Sequence, residues 1–194
     1  PLPSDLEALT RQLGDSDKWE RREAVNGLAK FGGEEAFQLL VGALRDPAGE
    51  VADTAEWHVG RVTSQGSIDV LHGKQGLRSK ADWVRLRAAG ALARVEGVVD
   101  GEALIRLLSE KESPWKRAAL HAIERQAVAD HLAGDLQGKV RPALEKAHKR
   151  GRDDRVRAAA LRALVALDPG GSVQLVLAAL DDSAPPVRVA AVGL

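Results

Sequence analysis

One pattern recurs six times along the 194 residues, and it limits what the chain can fold into more than any other feature. It runs from an acidic turn through a helix-opening residue, a basic residue and small residues to an aliphatic eight positions after the anchor. It reads Trp19-Glu20-Arg21-Arg22-Glu23-Ala24, then Val51-Ala52-Asp53-Thr54-Ala55, then Trp83-Val84-Arg85-Leu86-Arg87-Ala88. It returns as Trp115-Lys116-Arg117-Ala118-Ala119, Val156-Arg157-Ala158-Ala159-Ala160 and Val187-Arg188-Val189-Ala190-Ala191. With Glu20, Val51, Val84, Trp115, Val156 and Val187 as anchors, the steps are 31, 33, 31, 41 and 31. A chain that repeats one unit at this period stacks like units and buries each against the next.

The period within the unit is helical. Offsets 0, +1, +4, +5, +8 and +11 from the anchor fall on one face at about 100° per residue. Offset +4 is always alanine: Ala24, Ala55, Ala88, Ala119, Ala160 and Ala191. Offset +8 is aliphatic: Leu28, Val59, Leu92, Ile123 and Leu164. A small row beside an aliphatic row predicts close helix–helix contact. Aromatics make up only 3% of the chain, so the core must be Leu, Val and Ala. Before each anchor lies a second amphipathic stretch, as at 6–13, 36–44, 103–108 and 173–180. The turns between the two carry acids: Asp15/Asp17, Asp46, Asp82, Glu110/Glu112, Asp153/Asp154 and Asp181/Asp182. Acids suit the positive N-terminal end of the helix that follows. The basic residue at +1 (Arg21, Arg85, Lys116, Arg157, Arg188) is placed to reach the acid of a neighbouring turn. This ladder reads as a device for register, with no catalytic role.

The unit resembles the HEAT family, in the short form seen in phycobilin-lyase-like repeats. The resemblance implies an all-α fold, a right-handed α-solenoid of about six HEAT-like helix pairs with the last repeat truncated. It implies one domain over 1–194, with inner helices near 18–31, 49–62, 82–95, 114–126, 154–167 and 185–194. The inner helices are expected on the concave face. The sixth repeat stops at Leu194, so an apolar face at Val187, Ala191 and Leu194 is expected to need a cap. The chain is therefore expected to be part of a larger polypeptide, and its start without Met fits that.

Two steps are irregular. The step of 33 contains 63–80, whose outer helix (68–77) is interrupted by Gly73 and Gly76. The step of 41 contains 127–154, expected to form two helices, 127–136 and 140–150, with Gly138 and Pro142 at the break. From Lys139 to Arg157 there are eight basic residues and three acidic ones. This patch (Lys139, Arg141, Lys146, Lys149, Arg150, Arg152) is either a solvated helix end or a contact for phosphate or an acidic protein.

The face opposite the buried one carries further rows. Offset +10 holds Lys30, Arg61, Arg94 and Arg125; offset +6 holds Asn26, Trp57, Gly90, His121 and Arg162; offset +3 includes Glu23, Thr54 and Arg87. The +10 row suits an acidic partner or a nucleic-acid backbone, and equally suits the negative C-terminal ends of its own helices. Asp53, Trp57 and Arg61 follow at i, i+4 and i+8, and an exposed Trp between an acid and a base reads as a recognition hot spot. The other three Trp, at helix starts, are expected to pack between repeats. Alkylpurine DNA glycosylases built on HEAT-like repeats use Trp and Asp in their groove, which makes Asp53 and Trp57 the residues to consider for such an activity.

Other chemistry finds little support. There is no Cys, hence no disulfide, thiolate metal site or Cys nucleophile. There is no phosphate-binding glycine loop and no nucleophile elbow. The five His are scattered, and the paired His-Glu motifs of the HEAT-type deoxyhypusine hydroxylases do not occur. No cofactor or metal is expected. The formal net charge is zero, which is atypical for duplex binding. No apolar run approaches membrane-spanning length and no signal peptide precedes the repeats, so a cytoplasmic setting is expected. The Arg, Ala and Gly bias suggests a bacterial source. The sequence therefore reads as a non-enzymatic interaction scaffold for a protein or peptide. Its groove contacts are Trp57, Arg61, Arg87, Arg94, Arg125, His121, Asp53, Lys30 and Arg162. Nucleic-acid binding is the alternative.

Overall fold

The computed structural model describes residues 4–61, 65–111 and 113–194; Glu112, Thr63 and the first three residues, which figured above, lie outside it. Inter-residue contacts divide the chain into two compact units, Pro1–Gly97 and Val98–Leu194. Each unit contains three helix pairs.

In the first unit the helices are α1 (Ser4–Gln12), α2 (Lys18–Phe31), α3 (Gly33–Ala43), α4 (Gly49–Val59), α5 (Gln65–His72) and α6 (Asp82–Leu92). The inner helices α2, α4 and α6 pack one on the next, while α1, α3 and α5 form the second layer. The alanine row explains the close approach: Ala24, Ala55 and Ala88 are fully buried, as are Leu28, Val59 and Leu92 four residues further on. Each of those aliphatics contributes about 2 kcal/mol by leaving water. Gly27 serves the same end, because a Cβ there would lie 2.4 Å from Leu9 Cδ2 of α1.

The second unit holds α7 (Gly101–Ile105, continued by a 3-10 turn at Arg106–Ser109), α8 (Ser113–Val128), α9 (Arg141–Arg150), α10 (Asp154–Leu167), α11 (Val173–Leu180) and α12 (Pro185–Val192). Here α10 packs against both α8 and α12. The rows persist: Ala119, Ile123, Ala160 and Leu164 are fully buried. Two short strands, β1 (Val99–Asp100) and β2 (Leu132–Ala133), pair in parallel.

The acidic turns cap the inner helices. Asp17 accepts the Trp19 N–H at the start of α2, and Asp153 accepts those of Arg155 and Val156 at α10. At α4 and α12 the acid stands two residues earlier, Asp46 accepting from Ala48 and Asp182 from Ala184. Asp82 differs, lying inside α6 and pairing with Arg85 at 2.8 Å. The register ladder forms at two places with the same spacing of 25. Arg21 grips Asp46 through two bonds of 2.7 and 2.9 Å, and Arg157 pairs with Asp182. Arg85 and Arg188 instead donate to carbonyls of their own turn, Ser79 in one case and Asp182 and Ser183 in the other. Among the described residues Lys116 makes no ladder ion pair, and Arg117, one residue on, acts electrostatically on Asp153.

Three expectations are corrected. Residues 127–136 do not form a helix. Helix α8 runs on to Val128, Asp130 then takes a left-handed φ of 57° and Gly134 one of 106°, and the segment between them becomes β2. Val187 and Ala191 are buried within the second unit; the exposed apolar side chains near the end are Val189, Val192 and Leu194. Trp19 and Trp83, expected between repeats, leave 49% and 40% of their surface exposed, while Trp115 is half-buried.

Candidate functional site

In the first unit the inner helices bring an aromatic and cationic cluster to the surface at the C-terminal end of α4. Trp57 is 51% exposed. The Arg61 guanidinium stacks 4.7 Å above its ring centre, and the His58 ring meets it edge-on at 4.8 Å. His58 donates from Nε2 to Asn26 Oδ1 of α2 at 3.0 Å, which fixes the tautomer of a neutral ring. Burial, and then the neighbouring Arg61, push the His58 pKa below its ordinary value. Arg61 and His58 also border a cavity of about 520 Å³ floored by Leu28, Phe37 and Leu40. Gly32 and Gly33 lie on its wall; both have positive φ, which lets the chain turn sharply from α2 into α3 there. The site therefore offers an apolar floor beside a π face that already carries a cation.

The neighbouring charges are committed to structure. Asp53 pairs with Arg87 of α6. Glu56 bridges to Arg87 at 3.5 Å and to Arg94 at 2.9 Å, and its carbonyl also accepts from Arg94 at 3.3 Å. Gly60 and Gly90 make this crossing fit. A Cβ on Gly60 would stand 2.9 Å from Arg94 Nε, and one on Gly90 would stand 2.4 Å from Glu56 Oε1. Three residues of the sequence-derived groove, Asp53, Arg87 and Arg94, thus tie α4 to α6, while Trp57 and Arg61 face outward together. Lys30 is exposed at the end of α2.

In the second unit His121 and Arg162 converge on Glu124, at 4.0 and 3.3 Å. Burial raises the Glu124 pKa, but His121 and Arg162 outweigh it and hold the carboxyl below the usual glutamate value. Arg125 is exposed beside this trio. The basic patch separates into two groups. Lys139 pairs with Glu102 at 2.9 Å, Arg141 with Asp168 at 2.6 Å and with the Gly171 carbonyl at 3.0 Å, and Lys149 approaches Glu145 at 4.0 Å. Lys146, Arg150 and Arg152 make no ion pair among the described residues.

Sequence reasoning missed His58, Glu56 and Phe37. Glu56 had a signal, since it precedes Trp57 on a helix whose neighbour carries two Arg. Nothing marked His58 or Phe37, whose roles depend on the packing of α2, α3 and α4 together. Among the described residues no cluster of three or more His, Asp or Glu could hold a metal ion, and no helix is long and apolar enough to cross a membrane.

The comparisons agree with this architecture. Residues 3–60, which carry α1 to α4, match the family model of HEAT repeats. Solved structures similar to the chain include an engineered protein at 22% identity and a TM-score of 0.59, covering 97% of this chain and 94% of that one. The complex of CpcE and CpcF of phycocyanin lyase from Nostoc sp. PCC7120 matches at 21% and 0.58, covering 100% and 76%. A designed armadillo repeat protein in complex with the peptide (KR)4 matches at 18% and 0.58, covering 97% of each chain. At such identities the likeness is one of fold. No curated protein sequence matches the chain significantly.

Proposed function

We propose that this chain of HEAT-like repeats is an interaction scaffold that binds a partner protein or peptide on the face exposed by its inner helices, with Trp57 as the anchor. The observation that carries the reading is the exposed Trp57–Arg61 stack beside the Leu28, Phe37 and Leu40 cavity. Exposed Trp and Arg beside an apolar pocket are the side chains that dominate protein interfaces. The pair is already ordered, because His58 is tied to Asn26 and Arg61 lies on the ring, so binding loses little side-chain freedom. The fold supports the reading in kind: an armadillo repeat protein of similar fold was solved holding a peptide, and the phycocyanin lyase chains were solved as a complex. The rival reading, a basic groove for nucleic acid, needs Arg87 and Arg94 free, and both are held by acids. A glycosylase reading rests on Asp53, whose carboxylate is paired with Arg87 in this structure.

The test is selection of peptides from a display library on the 194-residue chain, followed by affinity measurement on Trp57→Ala and Arg61→Ala. Truncating an anchor of this kind costs about 2 kcal/mol or more, roughly thirtyfold in affinity. The expected result is that loss with an unchanged thermal unfolding midpoint. Peptides that bind Trp57→Ala as well as the parent sink the proposal.

A further inference from the structure

We infer that the second unit carries a separate binding site for a small organic polyanion, in the cavity of about 740 Å³ between the turn that follows α7, the start of α8 and the C-terminal half of α9. Five cations line it: Lys111, Lys116, Lys146, Arg150 and Arg152. They come from two stretches of chain distant in sequence, 111–116 and 146–152, and none makes an ion pair among the described residues. The described acids on the wall are Glu110 and Asp153, and Asp153 is already engaged as the cap of α10.

Helix-end chemistry does not account for this gathering. Arg150 does sit at the C-terminal end of α9, where a cation is favoured. Lys116, however, lies in the first turn of α8, and Arg152 just precedes α10. Those are the positive ends of helices, where a cation is disfavoured unless something negative sits between them. The other cations of the basic patch pair with acids; among the described residues those around the cavity do not. Ile105, Leu108, Ala143, Ala147 and Val156 give the wall an apolar part, beside the hydroxyls of Ser109 and Ser113. Cations around a partly apolar wall, in a volume within the range of small-molecule sites at roughly 300–1,000 Å³, fit a ligand with several phosphate, sulfonate or carboxylate groups on an apolar or aromatic body.

The probe for this site is 8-hydroxypyrene-1,3,6-trisulfonate, titrated calorimetrically into the full chain at matched ionic strength, with tripolyphosphate as competitor. The expected result is micromolar binding that tripolyphosphate displaces. Lys146→Glu and Arg150→Glu should each weaken it by about tenfold or more, and the milder Lys146→Gln and Arg150→Gln should weaken it less, in the same order. Lys30→Glu and Arg125→Glu, equally exposed but outside the cavity, should leave it unchanged. The probe should also raise the unfolding midpoint of the parent and not of Arg150→Glu. No binding above the salt control overturns the inference. So does equal loss in all four charge reversals, or a single-stranded oligonucleotide that competes more tightly than the probe through the same residues.

Discussion

At the scale of single residues, Asp46 shows how one side chain serves both helix and stack. Its carboxylate accepts the Ala48 N–H ahead of α4 and takes both bonds from Arg21 of the preceding repeat. Burial pushes its pKa up, but Arg21 and the Ala48 N–H outweigh that and hold it below the ordinary 3.8. Asp46→Ala should cost roughly 1–3 kcal/mol in urea unfolding, since it removes one acceptor from a cap and another from a charged pair. A depressed carboxylate stabilises fully above its ordinary pKa, and that contribution disappears as pH falls below 3.8 through the folded value. Asp182, held down by the Ala184 N–H and Arg157, loses its contribution in the same acid range. His58 acts at higher pH. Its depressed pKa means that the unfolded chain binds the extra proton first, so stability falls as pH drops below 6.5. Urea midpoints of the parent should therefore decline as pH falls below 6.5, and His58→Gln should flatten that decline. An equal decline in His58→Gln would show that other groups control it.

At the scale of elements, the sequence was most informative where local pattern and packing agree. The six inner helices follow from one row of alanines and one of aliphatics, because a buried stripe at helical period has few other ways to leave water. Helix α11 likewise spans the predicted 173–180. The reading failed at 127–136, where Ala127, Val128 and Leu132 mimic a helical stripe. There the backbone turns left-handed at Asp130 and Leu132 pairs with Val99, a partner over thirty residues away that no local period can reveal. The candidate site was legible in part for the same reason. Trp57 and Arg61 are i, i+4 neighbours, whereas the engagement of Asp53, Arg87 and Arg94 depends on how α4 crosses α6. Glycine placement tests the element scale directly. The weak outer helix α5 ends where Leu77 N–H bonds to Leu71 O at 2.7 Å, and a Cβ on Gly76 would stand 1.9 Å from that same oxygen. The obstacle is backbone, so it cannot swing aside. Gly76→Ala should destabilise by roughly 1–3 kcal/mol, read as lost amide-exchange protection in α5. Protection equal to the parent would mean that this turn relaxes freely.

At the scale of the molecule, charge decides between kinds of partner. The chain is neutral, and its two units are nearly so: 13 basic against 15 acidic residues in the first and 15 against 13 in the second. Binding to a nucleic-acid backbone draws on many phosphate contacts at once, each releasing counterions, and so needs a field extended over one surface. Here several of the cations that could make such a field pair with acids instead, as Arg21, Arg87, Arg94, Arg141 and Arg157 show. The unpaired cations on which binding is proposed are gathered locally, beside Trp57 in one unit and around a single cavity in the other. Labelled duplex DNA and RNA should therefore show no micromolar binding in fluorescence anisotropy at physiological salt. Weak binding at low salt should vanish with a shallow slope, because the unpaired cations do not form one continuous surface field. A steep slope, equivalent to roughly six or more phosphate contacts, would mean that the interhelical ion pairs open to serve the nucleic acid. In that case the Asp53–Arg87 and Glu56–Arg94 pairs would be switches and not struts, and Glu56→Gln would strengthen nucleic-acid binding while loosening the packing of α4 on α6.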